Sequence, residues 1–463
     1  MPRVMGLDLS ARAERIVYRI AGLPVAVSAL IAASQPDQGD ALQSAFVWRY
    51  WHPDGPGEWS ELAGGLVAWP LALVIAALWY TWRNGAVVRR RHGKPAATQF
   101  WEQLKLYFSA GLLPPWYYIF SLYEGDSSRR ARGYLQRFET KPTLFRLLKR
   151  KKGSPLTHKA RFAEYCRQRG IRCVATLIEL DGRGVPARLP DRDLFVKPAR
   201  GRGGTGAERW DLVAPSKFAN GPGEAMSSSA LLERLASRSR SEPIIVQPRL
   251  RPHERLSDLT AGALPTVRIV TCLNEAGRGE VIGAVFRMSI GTNRTVDNLH
   301  TGGLAAAVDL VSGQLSRATN LGADVRLGWL SVHPDTNATI EGRTLPYWEA
   351  AKRLAVRAHG EFADRVVIGW DIAILDDGPI IVEGNGNPDM DIVQRFMREG
   401  LREQRFGELL AYHLRQRLPA LDARLCASRD PPLHAAHEAP CHHPHQRQAD
   451  AGRVGLGAQL PKE

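Results

Sequence analysis

The stretch GWDIAILDDGPIIVEGNGN, residues 369–387, contains two short apolar runs that are separated by Asp376, Asp377 and Gly378. Short β-branched runs joined in this way are typical of a β-hairpin, in which glycine takes the left-handed position of the turn. Three side chains that carry oxygen atoms stand within these runs, although apolar strands favour residues suited to burial. The stretch therefore predicts both an element of the fold and a polar site on it.

The three side chains are those of Asp371, Glu383 and Asn385. If the turn is centred on Asp377, Asp371 lies opposite Glu383, and Asn385 points to the same face because side chains two residues apart do so. Two opposed carboxylates repel each other, so the arrangement needs a shared proton or a cation between them. A hard divalent cation fits best, and carboxylates that simply face water at a hairpin end are the alternative.

Composition limits the class of protein. The chain has 463 residues, of which 44% are hydrophobic, enough for two or three folded domains. Its five cysteines show no CxxC spacing and indicate reduced thiols in a cytosolic body. The net charge of +15 is compatible with nucleic acid, an anionic membrane surface or phosphorylated ligands. No recognisable nucleic-acid-binding module accompanies the basic residues, so we predict no nucleic-acid partner.

The location of the charge points to a membrane. The uncharged stretch 62–82 is long enough to cross a bilayer, and Arg89, Arg90 and Arg91 follow it. By the positive-inside rule, this predicts a transmembrane helix in the inner (plasma) membrane with the large C-terminal part in the cytoplasm. A buried helix of a soluble domain is the alternative.

A shorter apolar segment, 16–34, precedes the predicted span. It is interpreted as the first arm of a helical hairpin, a signal-like segment, or an amphipathic or buried helix. In the hairpin interpretation, the loop at about 35–60 lies outside the membrane.

The sequence divides into four regions: an N-terminal membrane region (1–98), a helical connector (99–154), a catalytic domain (155–421) and a tail (422–463). The connector is rich in aromatic and basic residues, and we expect it to pack on the catalytic domain; docking on anionic lipid is the alternative. The catalytic domain alternates strand-like and helix-like runs, which indicates an α+β or α/β fold. The tail is rich in Pro, Ala and His and predicts disorder.

A glycine-rich loop follows a predicted strand in DLFVKPARGRGGTG, at residues 191–206. Glycines allow a loop to lie close over a ligand with its N–H groups toward phosphate oxygens, and a lysine at the end of the strand adds a positive charge. The loop lacks the GxxxxGK[ST] pattern. A flexible surface turn is the alternative. The residues concerned are Lys197, Gly201, Gly203, Gly204 and Gly206.

Two further predicted strands, TVRIVTCL and EVIGAVFRMSIG, carry Arg268 and Arg287. Their place between the glycine-rich loop and the hairpin favours a role in stabilising charge on a transferring phosphoryl group, although each could be an ordinary surface cation. The loop at 293–303 is suited to positioning an acceptor, and an ordinary glycine turn explains it equally well.

The order of these parts resembles the ATP-grasp superfamily, and VKPARGRGGTG, TVRIVT, DNLHTGG and GWDIAILDDGPIIVEGN resemble its sugar-transfer-associated branch. The resemblance extends over about residues 100–400. It implies an α+β ATP-grasp fold, in which two subdomains grip ATP, preceded here by the membrane region and the connector. One departure is that Gly369 and Trp370 precede Asp371, where many members have an arginine.

The resemblance also implies roles for individual residues. ATP would contact two lysines, the glycine loop, an adenine hinge and a ribose-binding carboxylate: Lys159, Lys197, the loop Gly201 to Gly206, Gln247, Leu250 and Glu254. Asp371, Glu383 and Asn385 would hold one or two Mg²⁺ ions, with Mn²⁺ as an alternative. Arg268 or Arg287 would then supply the cation for the γ-phosphate.

The implied function is that of a membrane-tethered ligase. It would use Mg-ATP to activate a small-molecule carboxylate as an acyl phosphate, which an amine then opens. The branch implies a link to surface polysaccharide or sugar-conjugate biosynthesis, with polysaccharide-synthesis proteins and membrane lipid as partners. Two alternatives remain open: a phosphotransferase acting on a hydroxyl or a histidine, and a non-catalytic ATP-binding scaffold.

Overall fold

The computed structural model describes residues 16–17, 20–34, 41–125, 127–149, 153–184, 186, 188–201, 206–220, 224–260, 262–291, 295, 297, 299 and 302–418. The α-helices are α1 (Val25–Ser34), α2 (Ala41–Tyr50), α3 (Pro56–His92), α4 (Ala96–Ala110), α5 (Pro114–Ile119), α6 (Ser127–Arg132), α7 (Arg137–Glu139), α8 (Phe145–Leu147), α9 (Lys159–Gln168), α10 (Ser228–Ser239), α11 (Trp348–Glu361), α12 (Met390–Met397) and α13 (Arg405–Arg417). A π-helical turn (Thr140–Leu144) and two 3-10 helices (Pro155–Thr157 and Glu254–Leu259) complete the helical segments described.

The strands are β1 (Ile178–Leu180), β2 (Leu194–Pro198), β3 (Glu208–Ala214), β4 (Lys217–Asn220), β5 (Glu224–Ser227), β6 (Ile244–Pro248), β7 (Thr266–Leu273), β8 (Gly279–Met288), β9 (Leu304–Val308), β10 (Leu315–Thr319), β11 (Val367–Leu375) and β12 (Gly378–Asn385). They form two antiparallel sheets, which we call the first sheet (order β1-β6-β2-β3-β4-β5) and the second sheet (order β10-β9-β8-β7-β11-β12). Two sheets with helices packed on them confirm the predicted α+β class.

Each sheet has its own hydrophobic core. In the first sheet, Val196 and Trp210 pack with Leu235 of α10. In the second sheet, Ile269 and Phe286 belong to a larger cluster that includes the small residues of α11. The alternation of apolar and polar residues along these strands selects the buried face of each sheet. The two clusters share no residue, so each sheet packs on its own helices and the two cores do not fill the space between the sheets.

Residues of the predicted connector fold into helices that pack on the second sheet and its helices. The Gln394 side chain of α12 bonds both backbone groups of Leu135, accepting from the N–H at 2.9 Å and donating to the carbonyl at 2.7 Å. Leu144 of the π-helical turn shares a core cluster with Val270 of β7. The connector therefore contacts the body of the protein through buried groups.

The N-terminal helices also contact this body. This contradicts the hairpin interpretation, which placed the loop at about 35–60 outside the membrane; residues 35–40 of that loop lie outside the described residues. Leu42 of α2 lies in the same core cluster as Val270 and Leu410, and Glu58 at the start of α3 forms an ion pair with Arg146. Residues 41–58 thus do not lie across a membrane from the body. The sequence showed an uncharged helix but not which surfaces its flanking residues contact.

Candidate functional site

A pocket of about 620 Å³ lies between the two sheets. Among the described residues that line it, ten are lysine or arginine and four are aspartate or glutamate. An excess of positive charge in a confined space favours an anionic ligand of the size of a nucleotide.

Two predicted lysines lie at this pocket. Lys197 of β2 is 8% exposed, and its ammonium group has no hydrogen bond or ion pair with the residues that the structure describes. Burial lowers the pKa of Lys197, and the nearby Glu383 carboxylate offsets only part of this effect. Lys159 donates to the carbonyl of Gly201 at 3.0 Å and lies 3.8 Å from Glu383 Oε1. Phosphate oxygens would supply the partner that Lys197 lacks.

The predicted glycine loop is described only at its two ends. Gly201 lines the pocket and has a φ of 112°, a conformation that glycine adopts at little cost. Gly206 lies outside the lining and has a φ of 74°, so its left-handed backbone conformation accounts for this glycine. Gly203 and Gly204 lie outside the described residues.

Both residues of the predicted adenine hinge line the pocket. Gln247 and Leu250 line it together with the ring of Phe195, which offers an apolar surface for a base. Glu254, by contrast, is exposed and does not line the pocket. Its backbone N–H donates to Asp376 Oδ1 at 2.9 Å, so the 3-10 helix is attached to the hairpin turn. The ribose contact of Glu254 stays a prediction.

The hairpin pairs Asp371 with Glu383, as predicted. The turn differs from the predicted one, which was centred on Asp377, because Leu375 pairs with Gly378 across the two residues Asp376 and Asp377. Continued without change, that turn would place Asp371 opposite Val382. A β-bulge at Val382 shifts the register by one residue and restores the pairing of the two carboxylate residues. Gly378 has a φ of 112°, as expected for the turn glycine.

The cation beside Asp371 is arginine. Arg268 Nη2 lies 2.9 Å and Arg287 Nη2 3.1 Å from Asp371 Oδ2, and Arg268 Nε also contacts Oδ1. Asp371 is only 9% exposed. Burial alone raises its pKa, but the two guanidinium groups hold that pKa below its usual value. Arginines thus engage both oxygens of Asp371 in this arrangement, and its role as a metal ligand stays a prediction.

Strand register explains the arginine cluster. Arg268 of β7 pairs directly with Asp371 of β11, and Arg287 of β8 pairs with Thr266 of β7. Arg287 also donates to Thr266 Oγ1 at 2.6 Å, which fixes its orientation. A Cβ at Gly369 would meet Arg268 Cδ at 3.1 Å, so the glycine that departs from the family pattern leaves room for this side chain.

Glu383 and Asn385 remain as candidates for a metal. The Glu383 side chain is 39% exposed, and Asn385 Oδ1 accepts one hydrogen bond, from the Asn387 N–H at 3.0 Å. These hard oxygen donors suit Mg²⁺, which keeps waters and nucleotide phosphates among its ligands. Within the described part of the chain, no cluster of three His, Cys, Asp or Glu side chains could hold a metal without such additional ligands.

Sequence analysis missed eight charged residues of the pocket: Arg137, Lys141, Arg200, Arg209, Arg249, Arg251, Asp297 and Asp389. Arg137 Nη1 lies 3.3 Å from Asp389 Oδ1, which Lys141 also contacts. Burial lowers the pKa of Lys141, and Asp389 offsets only part of this effect. The basic composition of the connector was a signal, but it did not distinguish the two side chains that reach the pocket from those that face solvent.

One family model matches more than half of the chain. The model of the sugar-transfer-associated ATP-grasp family matches residues 149–407. Solved structures with weak similarity include the D-cycloserine synthetase DcsG (14% identity, 56% of this chain and 71% of that one, TM-score 0.31). Another is the D-alanine–D-alanine ligase of Bacillus anthracis complexed with ATP (11% identity, 58% and 68%, TM-score 0.33).

A third is the L-amino acid ligase of Bacillus licheniformis (12% identity, 53% of this chain and 47% of that one, TM-score 0.31). No curated protein matches the chain in sequence. The family model covers more than half of the chain and includes both strands that carry Lys197 and Glu383. The chain therefore belongs to the sugar-transfer-associated ATP-grasp family.

Proposed function

We propose that the protein is a membrane-associated, ATP-dependent ligase that activates a carboxylate for attack by an amine. The observation that carries this proposal is Lys197, which is 8% exposed, lines the pocket and has no hydrogen-bonding partner for its ammonium group among the described residues. Membership of the ATP-grasp family supports ATP as the ligand whose phosphates bind the Lys197 ammonium group.

In this proposal the adenine lies against Phe195, Gln247 and Leu250, and the phosphates lie at Lys159 and Lys197. A Mg²⁺ ion held by Glu383 and Asn385 would offset phosphate charge when bound. The arginine cluster of Arg268 and Arg287 is oriented by Asp371 before any ligand binds. Guanidinium groups fixed in this way stabilise charge on the transferring phosphoryl group without reorganisation.

The acceptor acid would bind at the end of the pocket that Arg137 and Lys141 line, because guanidinium and ammonium groups both recognise carboxylates. A carboxylate oxygen of the acid attacks the γ-phosphorus, and ADP leaves. The amine then attacks the acyl carbon, loses a proton, and releases inorganic phosphate as the amide forms. No side-chain nucleophile is required.

Membrane attachment is proposed for α3, which by length and composition is apolar enough to cross a bilayer. The catalytic domain would lie on the cytoplasmic side of the inner membrane, where Arg89 and Arg90 meet anionic lipid. The family description supports an acid or amine that belongs to surface polysaccharide or sugar-conjugate biosynthesis, whose proteins are the expected partners.

Hydroxylamine tests the reaction without knowledge of the amine, because it converts acyl phosphates to hydroxamates. The full chain would be incubated with Mg-ATP, hydroxylamine and mixtures of sugar acids and amino acids. We expect hydroxamate in amounts equal to ADP and phosphate. A stable phosphorylated product without phosphate release would indicate a phosphotransferase, and ATP binding without turnover of any acid would favour a scaffold; either result contradicts the ligase.

A further inference from the structure

One side of α3 is exposed and apolar over much of its length. No exposed residue from Ala63 to Trp82 carries a charge, a hydroxyl or an amide group. Apart from Leu66, the large exposed side chains are spaced one, three or four residues apart on one side of the helix, so they form one stripe, which we call the apolar face. This face comprises Val67, Leu71, Val74, Ile75, Leu78 and Trp82.

The opposite side of α3 is packed against other helices. Leu73 and Tyr80 share a core cluster with Val25 of α1, Phe46 of α2 and Tyr107 of α4. The helix is thus half buried and half exposed, as in a surface helix of a folded body. A helix that crosses a bilayer alone would not have such protein contacts along one entire side.

Both ends of α3 contact the same body. At the N-terminal end, Glu58 forms an ion pair with Arg146 of α8. Toward the C-terminal end, the Asn84 side chain donates to the Ala323 carbonyl at 3.2 Å and accepts from the Val325 N–H at 3.0 Å.

These contacts are incompatible with a helix that crosses the membrane. At ~1.5 Å per residue, the two contact regions are roughly 40 Å apart along the helix. A bilayer core of about 30 Å would lie between them if residues 62–82 spanned it. One soluble body cannot contact both ends from a single side of that core.

We infer that α3 lies in the plane of the membrane, with its apolar face inserted into one leaflet and both of its ends on the cytoplasmic side. The occupant of this face is lipid. Trp59 and Trp82 are exposed near the two ends of the stripe, as interfacial aromatic residues are, and exposed Arg89 and Arg90 complement anionic headgroups. The inference rests on the proposed membrane association but not on the ligase reaction.

Labelling from each side of the membrane tests the topology. Ser60→Cys and Ala86→Cys place thiols at exposed positions that flank the apolar face. A membrane-impermeant maleimide would be added to intact cells and to inside-out vesicles, with the unaltered chain as background. We expect both new thiols to react only in inside-out vesicles. Reaction of Ser60→Cys in intact cells, or recovery of the protein without membranes, would overturn the inference.

A matched pair of variants tests the lipid contact. Val67 on the apolar face is 83% exposed, and Val311, between β9 and β10 of the second sheet, is 85% exposed. The substitutions Val67→Gln and Val311→Gln therefore replace equally exposed valines, and only the first lies on the apolar face. Binding of the full chain to vesicles of zwitterionic and anionic phospholipid should weaken about tenfold for Val67→Gln alone. Equal binding by both variants would overturn the inference and indicate that another segment or protein covers the face. Neither experiment depends on activity.

Discussion

At the scale of single residues, Lys197 is a buried cation that the described part of the protein leaves without a hydrogen bond or ion pair. A buried ammonium group without a partner destabilises the folded state, and the lowered pKa of Lys197 expresses the same cost. A protein tolerates this loss of stability at a position where a bound ligand compensates the charge. Lys197 is therefore suited to binding phosphate and poorly suited to holding the empty protein together.

Lys197→Met should make the protein without nucleotide more stable, by roughly 1 kcal/mol, since it removes a buried charge and keeps the volume of the side chain. The same variant should lose most of the stabilisation by ATP, which for the wild type is about 2.7 kcal/mol at a hundredfold excess over Kd. Thermal unfolding with and without ATP measures both effects. Lys217→Met, at an exposed position of the same sheet, is the control and should change neither.

Asp371 shows how a partner changes the expected effect of a substitution. If Asp371 faced only Glu383, removal of its charge would reduce the repulsion between the two carboxylates and stabilise the protein. Because Arg268 and Arg287 engage it, Asp371→Asn instead leaves two buried guanidinium groups less compensated. We expect a loss of about 3 kcal/mol at neutral pH, measured by chemical denaturation.

The stability difference between the wild type and Asp371→Asn should also depend on pH. The pKa of Asp371 is lower in the folded protein than its ordinary value of 3.8, so its contribution to stability is present above that value and is lost as the pH falls through the lower folded-state pKa. The stability difference between wild type and Asp371→Asn should therefore shrink in acid below about pH 4. If Asp371→Asn is as stable as the wild type at pH 7, the buried guanidinium groups of Arg268 and Arg287 do not need this carboxylate to compensate their charge.

At the scale of elements, the hairpin shows what a sequence can and cannot specify. A turn centred on Asp377 predicted the pairing of Asp371 with Glu383. This pairing is confirmed, but a tighter turn and a bulge produce it. The bulge at Val382 was not predictable, because an inserted valine within an apolar run leaves the pattern unchanged. The arginine partners were also not predictable, since they depend on the order of strands in the second sheet.

The connector helices extend the site beyond the matched family region. Lys141 of the π-helical turn reaches the pocket and contacts Asp389 at the start of α12. If this end of the pocket binds the acid, Lys141→Met should raise the KM for the acid about tenfold while the shift in Tm caused by ATP is unchanged. ADP release at varied acid concentration measures the first effect. A reduced Tm shift with ATP would instead place Lys141 at the nucleotide, and Lys217→Met again serves as control.

At the scale of the whole molecule, two sheets with separate cores enclose the pocket. We propose that the N-terminal helices hold this body against a membrane surface. The sequence was sufficient to predict a long apolar helix, whereas the cytosolic position of the catalytic part stays a prediction. It was not sufficient to predict the orientation of α3, because hydropathy and length are the same for a helix that crosses a bilayer and for one whose other side packs on protein.

The central claim is that a carboxylate attacks the γ-phosphate within this pocket. An acid labelled with ¹⁸O in its carboxylate tests it most directly, because the acyl phosphate route carries one carboxylate oxygen into the released phosphate. Mass spectrometry of the phosphate formed by the full chain with Mg-ATP, the labelled acid and the amine should show one ¹⁸O atom per molecule. Phosphate without the label, formed at the same rate as ADP, would show that water is the acceptor and would contradict the ligase mechanism.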